Sequence, residues 1–327
     1  MVNRREFLGA GLGAAGWAVA CGARAQGSYP TQPVRIIVPF APGGGSDFIG
    51  RFIADKLAKP LGQSVLIDNR PGAGGLLGID IGVKAPGDGY TFILIASSYC
   101  VNPSIFKLKF DPIADITPVA QISQGPMVLL ANPKLGVKTV KDLIDKAKAR
   151  PGSITFASAG LGSVTHMAGE YFASAAGIKL THVPYKGTSP ALTDTIAGQT
   201  DVFFSSPASA LAHVESGKLL SLGVTTRMRA PGAVYSKVPP IAEAGVAGYE
   251  ATLWHGLIGP KGVPRPVVEM INREIGIALK AKEAIEKLET DGVSPAGGSA
   301  DQFAALIKKD LALWAKVVKD GNIKVEP

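Results

Sequence analysis

The sequence predicts an α/β protein of two lobes, and three observations carry that reading. Short apolar runs such as "VRIIVPF", "SVLIDN" and "YTFILIAS" alternate with amphipathic stretches, which implies mostly parallel sheets covered by helices. Two of the runs open through glycine-rich turns straight into a helix, in "IIVPFAPGGGSDFIGRF" and "ITFASAGLGSVTHMAGEYF". Length is the third: once a leader is removed about 300 residues remain, enough for two lobes of roughly 100–150 residues each.

The leader is "NRREFLGAGLGAAGWAVACGARA", with Arg4 and Arg5, a weakly apolar Gly/Ala run and an A-x-A pattern at Ala23-Arg24-Ala25. It predicts an export signal over residues 1–25, of twin-arginine type or an ordinary secretory signal with two arginines, and hence a periplasmic protein. The run is too short to span a bilayer. Cys21 as a lipid-anchored first residue is a further alternative, for which Ala18 is a poor residue three places before it. A dinucleotide-like GxGxxG at Gly11–Gly16 has no strand before it and lies in the removed segment, so it carries no function. Cys100 is then the one remaining cysteine, which excludes an intrachain disulfide. Three arginines and one glutamate leave with the leader, so the formal charge falls from +8 to +6. The lysines are scattered over helix faces with no run beside aromatics, which argues against a nucleic-acid partner.

After the first strand comes a helix opened by Ser46 or Asp47, with Phe48, Ile49, Phe52, Ile53 and Leu57 on one stripe. A second group of elements starts near "PMVLLAN". Its helix "TVKDLIDKAKA" opens with Thr139 and Asp142 in capping-box spacing. "SITFAS", "KLTHVPY", "DVFFSS" and "LLSLGVTT" follow as strands, separated by helices from about Val164, over "SPALTDTIAG" and over "ALAHVESG". The last part, after "AGYEATLWHGLIGPKGVPRP", holds two helices. One carries Val267, Val268, Ile271, Ile275 and Leu279 on a face. The other is capped by Ser299 with Gln302 and carries Phe303, Leu306, Ile307, Trp314, Val317 and Val318. If these helices pack back on the first lobe, the chain crosses between lobes twice. Lobe one is then residues 26–124 plus 248–327, and lobe two is residues 125–247.

The first glycine-rich loop lacks the lysine of a phosphate loop, and Phe48 stands where a dinucleotide loop has its last glycine. A small anion remains, held by N–H groups around Gly43 to Ser46 and by the Ser46 hydroxyl at the positive end of a helix. Asp47 would mainly cap the backbone. The alternative is a tight turn whose glycines only supply positive φ. A second copy of the device offers Gly160, Gly162, Ser163 and Thr165, so two loops could grip carboxylates from both sides of a cleft. "NRPGAGGLLG" reads chiefly as a turn that permits close helix packing. Ser97, Ser98 and Tyr99 sit at a strand's C-terminal end, as do Ser205 and Ser206, where α/β sheets present ligand contacts. His166 is the one histidine expected in the site, either donating to a carboxylate or capping and packing.

Enzyme motifs are missing: no H-E-x-x-H or C-x-x-C for zinc and no G-x-S-x-G elbow. Cys100 beside a strand reads as an inert apolar residue. A hydrolase or transferase would need a nucleophile–base pair that the sequence does not display.

The segments "YPTQPVRIIVPFAPGGGSD", "IDNRPGAGG", "KAPGDGYT", "ASAGLGSVTHMAGE", "VPYKGTSPAL" and "GYEATLWHGLIGPKGVP", with the Trp314 helix, resemble in this order the substrate-binding proteins of tripartite tricarboxylate transporters, the Bug-type periplasmic receptors. The resemblance spans nearly the whole mature chain. It implies a two-lobed periplasmic binding protein fold, type II-like, that closes like a flytrap on carboxylates and passes them to integral-membrane permease subunits. It implies no catalysis, cofactor or metal, and a receptor of this shape needs no second copy to close. A sensing receptor on the same fold is the alternative. The ligand contacts it implies are Phe40, Ala41, Gly43, Gly44, Gly45, Ser46 and Asp47 in one loop. Ala159, Gly160, Gly162, Ser163, Thr165 and His166 are those of the other. Two departures bear on the ligand: Tyr99-Cys100 replaces His-Ala, and Ser205 replaces a common Asp. They favour a mono- or dicarboxylate, aromatic ones included, over an amino acid.

Overall fold

A computed structural model describes residues 29–230, 233–290 and 293–320; the expected export signal and Cys21 lie outside the described residues. The first stretch runs β1 (Val34–Val38), α1 (Gly45–Leu61), β2 (Val65–Asn69), α2 (Leu76–Val83), β3 (Thr91–Ala96), α3 (Asn102–Ile105) and β4 (Ile116–Pro126). The second comprises β5 (Val128–Ala131), α4 (Val140–Ala149), β6 (Thr155–Ser158), α5 (Val164–Ala176), β7 (Thr181–Pro184), α6 (Thr188–Ala197), β8 (Val202–Ser205), α7 (Pro207–Glu215) and β9 (Leu220–Val224). The chain then returns through β10 (Thr252–Pro260), α8 (Arg265–Lys280), α9 (Lys282–Thr290), β11 (Ser294–Pro295) and α10 (Ala300–Asp320).

These elements make two sheets, one per lobe. The first has six strands in the order β11-β4-β10-β3-β1-β2, the second five in the order β7-β6-β8-β5-β9. Both are mixed, which corrects the expectation of mostly parallel sheets. The reason lies in the crossings. The chain leaves the first sheet at Pro126 and re-enters at Thr252, and these two residues face each other across the antiparallel β4–β10 pair. An outgoing and an incoming strand side by side must run oppositely. The same holds in the second sheet, where incoming Val128 faces outgoing Val224. Thr225 ties the crossings together, its buried hydroxyl accepting from Met127 N–H at 2.8 Å and donating to Ala251 O.

Local chemistry sets the helix boundaries. Thr139 and Asp142 complete a reciprocal capping box on α4, and Ser299 and Gln302 do the same before α10, at 2.8 and 3.1 Å. The apolar stripe of α8, Val267, Val268, Ile271, Ile275 and Leu279, is buried throughout. Among the described residues three helices, not the expected two, follow β10: α9 is a short segment whose Ala284 and Leu288 reach the core. The central strand β10 is clamped from outside by α10. Trp254 Nε1 donates to Asp310 Oδ2 at 2.6 Å and the Trp254 ring meets Phe303 edge-on. The tip of the Phe303 ring comes up against the bare backbone at Gly256, where a Cβ would stand 2.1 Å from the nearest ring carbon. Gly256→Ala is therefore expected to cost about 2 kcal/mol or more through overpacking, read as a lowered midpoint in urea unfolding.

Candidate functional site

The loop from β1 into α1 is held by two side chains. Asp47, 4% exposed, accepts from the Gly43 N–H at 3.0 Å, Arg51 Nε at 2.9 Å and Asn69 Nδ2 at 3.0 Å. Asn69 also donates to the Phe40 carbonyl at 3.0 Å. Burial alone would raise the Asp47 pKa, but the bonds from Arg51, Gly43 and Asn69 outweigh it and hold the carboxyl below its ordinary value. The carboxylate thus braces the loop from behind. At the front, Gly44 is the N-cap of α1 and supplies no side-chain cap. The first-turn amides of a 17-residue helix therefore face forward without one.

The second lobe presents three more helix starts. Ser163 caps α5 by accepting from the His166 N–H at 3.2 Å, and the Thr165 hydroxyl accepts from the Ala159 N–H at 2.9 Å. Helix α6 begins after Gly187, whose φ of +135° and lack of a side chain leave it uncapped. Helix α7 begins after Ser206, which makes no side-chain cap bond either.

All four starts converge on one cavity between the lobes. Gly44, Gly45 and Ser46 come from α1, Ser163 and Thr165 from α5, Thr188 from α6 and Ser206 from α7. Phe40, Ala96, Ala159, Val164 and Leu253 form an apolar wall, and His255 reaches in from β10. No lining residue is acidic, lysine or arginine. Burial lowers the His255 pKa to about 4, so its imidazole is neutral near pH 7. The pocket contains no formal charge at that pH, and the partial positive charges at the helix N-termini give it a positive field.

The lobes meet closely around this cavity. Ser189 Oγ donates to the Pro42 carbonyl at 3.2 Å, and Gly187 packs on Ala41. Gly74 approaches so near that a Cβ there would stand 2.1 Å from the Leu161 carbonyl oxygen. The segment "NRPGAGGLLG" is thus a contact between lobes.

The sequence-expected residues separate into two sets. Phe40, Gly44, Gly45, Ser46, Ala159, Ser163, Thr165 and Ser206 line the cavity. Ala41, Gly43, Asp47, Gly160 and Gly162 shape or brace the loops; the Gly162 N–H donates to His166 Nδ1 at 3.2 Å. Several expectations need correction. A 3₁₀ turn over Ser97–Cys100 follows β3 and buries Ser97, Ser98 and Tyr99. The Tyr99 hydroxyl donates to the Pro112 carbonyl at 2.7 Å and its ring stacks on Phe110, so Tyr99 gives the cavity no flat face. Ser205 lies inside the sheet with its hydroxyl turned onto the Ser206 carbonyl at 3.2 Å. Ser206 takes the place at the cavity. His166 is buried behind its loop, stacked on His182 with ring centroids 4.0 Å apart. His255 and Thr188 were missed. Thr188 had a signal, because "KGTSPAL" repeats the glycine–hydroxyl–helix pattern of the other two loops.

Two α/β lobes closing on a cavity walled by helix N-termini define a solute receptor of the periplasmic binding protein class. Residues 49–323 match the family described as "Tripartite tricarboxylate transporter family receptor". The chain belongs to that family, one of solute-binding receptors and not of enzymes. It is 34% identical to Protein BugT of Bordetella pertussis over 302 residues, 91% of this chain and 92% of that one. The R. palustris protein Rpa4515, solved with adipate, is similar at a TM-score of 0.87 and 35% identity, over 90% of this chain and 99% of that one. MatC from Rhodopseudomonas palustris, solved with bound malate, gives 0.83 and 30% over 89% and 100%.

Proposed function

We propose that this receptor captures a small mono- or dicarboxylate between its lobes and delivers it to membrane permease subunits of the tripartite tricarboxylate type. The observation that carries the reading is the convergence of four helix N-termini, three without a side-chain cap, on a cavity whose lining includes no acid. Such a site favours an anion, and the apolar wall of Phe40, Val164 and Leu253 suits a hydrocarbon body, aliphatic or aromatic. The adipate and malate in two relatives support the carboxylate class. The receptor acts as a single exported chain, with residues 1–25 as its signal. Its lobes divide near residues 125 and 248.

A thermal-shift panel of adipate, malate, benzoate, aspartate and glutamate tests the class, because a ligand that binds only the folded state raises Tm by mass action. A rise with carboxylic acids and none with amino acids is expected; the reverse overturns the reading. Ser163→Asp sharpens the test. Aspartate caps a helix as well as serine, so Tm should hold, while the carboxylate it places in the cavity should raise the ligand Kd by roughly 100-fold or more. Unchanged affinity by calorimetry would mean the ligand's charge lies elsewhere.

A further inference from the structure

His255 is the one ring nitrogen-bearing side chain at the cavity, and it stands between two hydroxyls. Ser46 Oγ lies 3.2 Å from its Nε2 and Ser123 Oγ 3.2 Å from its Nδ1. The residue is 3% exposed and Ser123 is fully buried. Ser123 lies directly opposite His255 on the neighbouring strand β4. The chain of three therefore runs from the interior of the sheet to the first turn of α1, where Ser46 faces the cavity.

A neutral imidazole carries one proton, and a hydroxyl carries one. Two arrangements satisfy both contacts. In the first, Nδ1–H donates to Ser123 and Ser46 spends its proton on Nε2, leaving only lone pairs to face the cavity. In the second, Ser123 donates to Nδ1, Nε2–H donates to Ser46 Oγ, and the Ser46 proton is free to point at a ligand. A carboxylate has no proton to give and demands the second. We propose that Ser123 and His255 form a hydrogen-bond relay that sets Ser46 as a donor to the bound carboxylate, with His255 a positioning and specificity-determining residue. This rests on the carboxylate reading above. Every proton stays on its own heavy atom or exchanges between the two ring nitrogens, so the ligand leaves unchanged.

The test uses the full chain with adipate, malate and benzoate as probes. Nitrogen-15 NMR of the imidazole reads the tautomer, a property that a packing role would not move. His255 is expected in the Nε2–H form with carboxylate bound. His255→Phe removes the relay and should weaken binding about 20-fold, as expected for loss of a charge-assisted hydrogen bond. His255→Gln keeps an N–H toward Ser46 and should stay within about threefold of wild type. Ser123→Ala, nearly isosteric, removes only the far end and should weaken binding several-fold, which protects the test should the phenylalanine variant fail to fold. A relay-free result, with the Nδ1–H tautomer in the complex or with Ser123→Ala and His255→Phe both binding as tightly as wild type, overturns the inference and leaves the carboxylate reading standing. A wild-type chain that binds none of the three probes, with amino acids binding instead, overturns both.

Discussion

Replacing Gly74 by alanine is expected to raise the Kd for ligand by roughly 100-fold while shifting Tm by only a few degrees. The two effects come from different places. Gly74 has φ +63°, so a side chain there adds backbone strain of about 1 kcal/mol. A Cβ would also stand 2.1 Å from the Leu161 carbonyl oxygen and 3.2 Å from the Ser163 amide nitrogen, both on the opposite lobe. Neither partner is a flexible side-chain end, so the clash is relieved by the lobes moving apart. Apparent affinity falls in proportion to the fraction of closed receptor. Gly62→Ala is the matched control: its φ of +62° imposes the same strain, but nothing lies within 4 Å of the new atom. Calorimetry should show affinity lost in the first variant alone. Equal loss, or none, in both would mean that contact at Gly74 does not limit closure.

Acid is expected to weaken the fold well above the pH at which carboxylates titrate. Burial, with His166 beside it, lowers the His182 pKa to about 3, and burial lowers that of His255 to about 4. Unfolded, both would titrate near 6.5. The unfolded chain therefore binds protons that the folded one refuses. The stability these rings contribute is complete above pH 6.5 and is lost as pH falls through 6.5 toward 4. At pH 5 the loss is about 2 kcal/mol per ring, or roughly 5–10 °C in Tm relative to pH 8. His182→Gln should remove about half of the dependence. Asp47, held below its ordinary value, adds a loss of the same sign at lower pH. A Tm that stays level from pH 8 to 5 would show that the imidazoles accept protons in place.

Much of this was legible because local chemistry and tertiary packing agree. The α1 stripe, the capping boxes at Thr139 and Ser299 and the two glycine-rich loops each announce themselves within a few residues, and the structure places them as read. The failures share a cause. β10 is buried at nearly every position, so it shows no alternation. β4 contains Pro118, Gly125 and Pro126 and reads as loop. His255 reaches the cavity only because that unseen strand lies between β3 and β4. In sequence it is one polar residue inside an apolar run. Tyr99 misled because a single 3₁₀ turn after β3 re-aimed its side chain, and the hydroxyl's partner at Pro112 is 13 residues away.

The cavity draws its positive field from main-chain amides, and point mutation leaves a main-chain N–H in place unless the new residue is proline. Replacing Phe40, Val164 or Leu253 changes the size and shape of what fits, while the attraction to negative charge persists as long as the four helices keep their starts. Divergence of the wall is thereby uncoupled from recognition of the charge. On the carboxylate reading proposed above, a lineage built on this frame can exchange one anion for another through a few side chains, without passing through a form that has lost its hold on anions altogether.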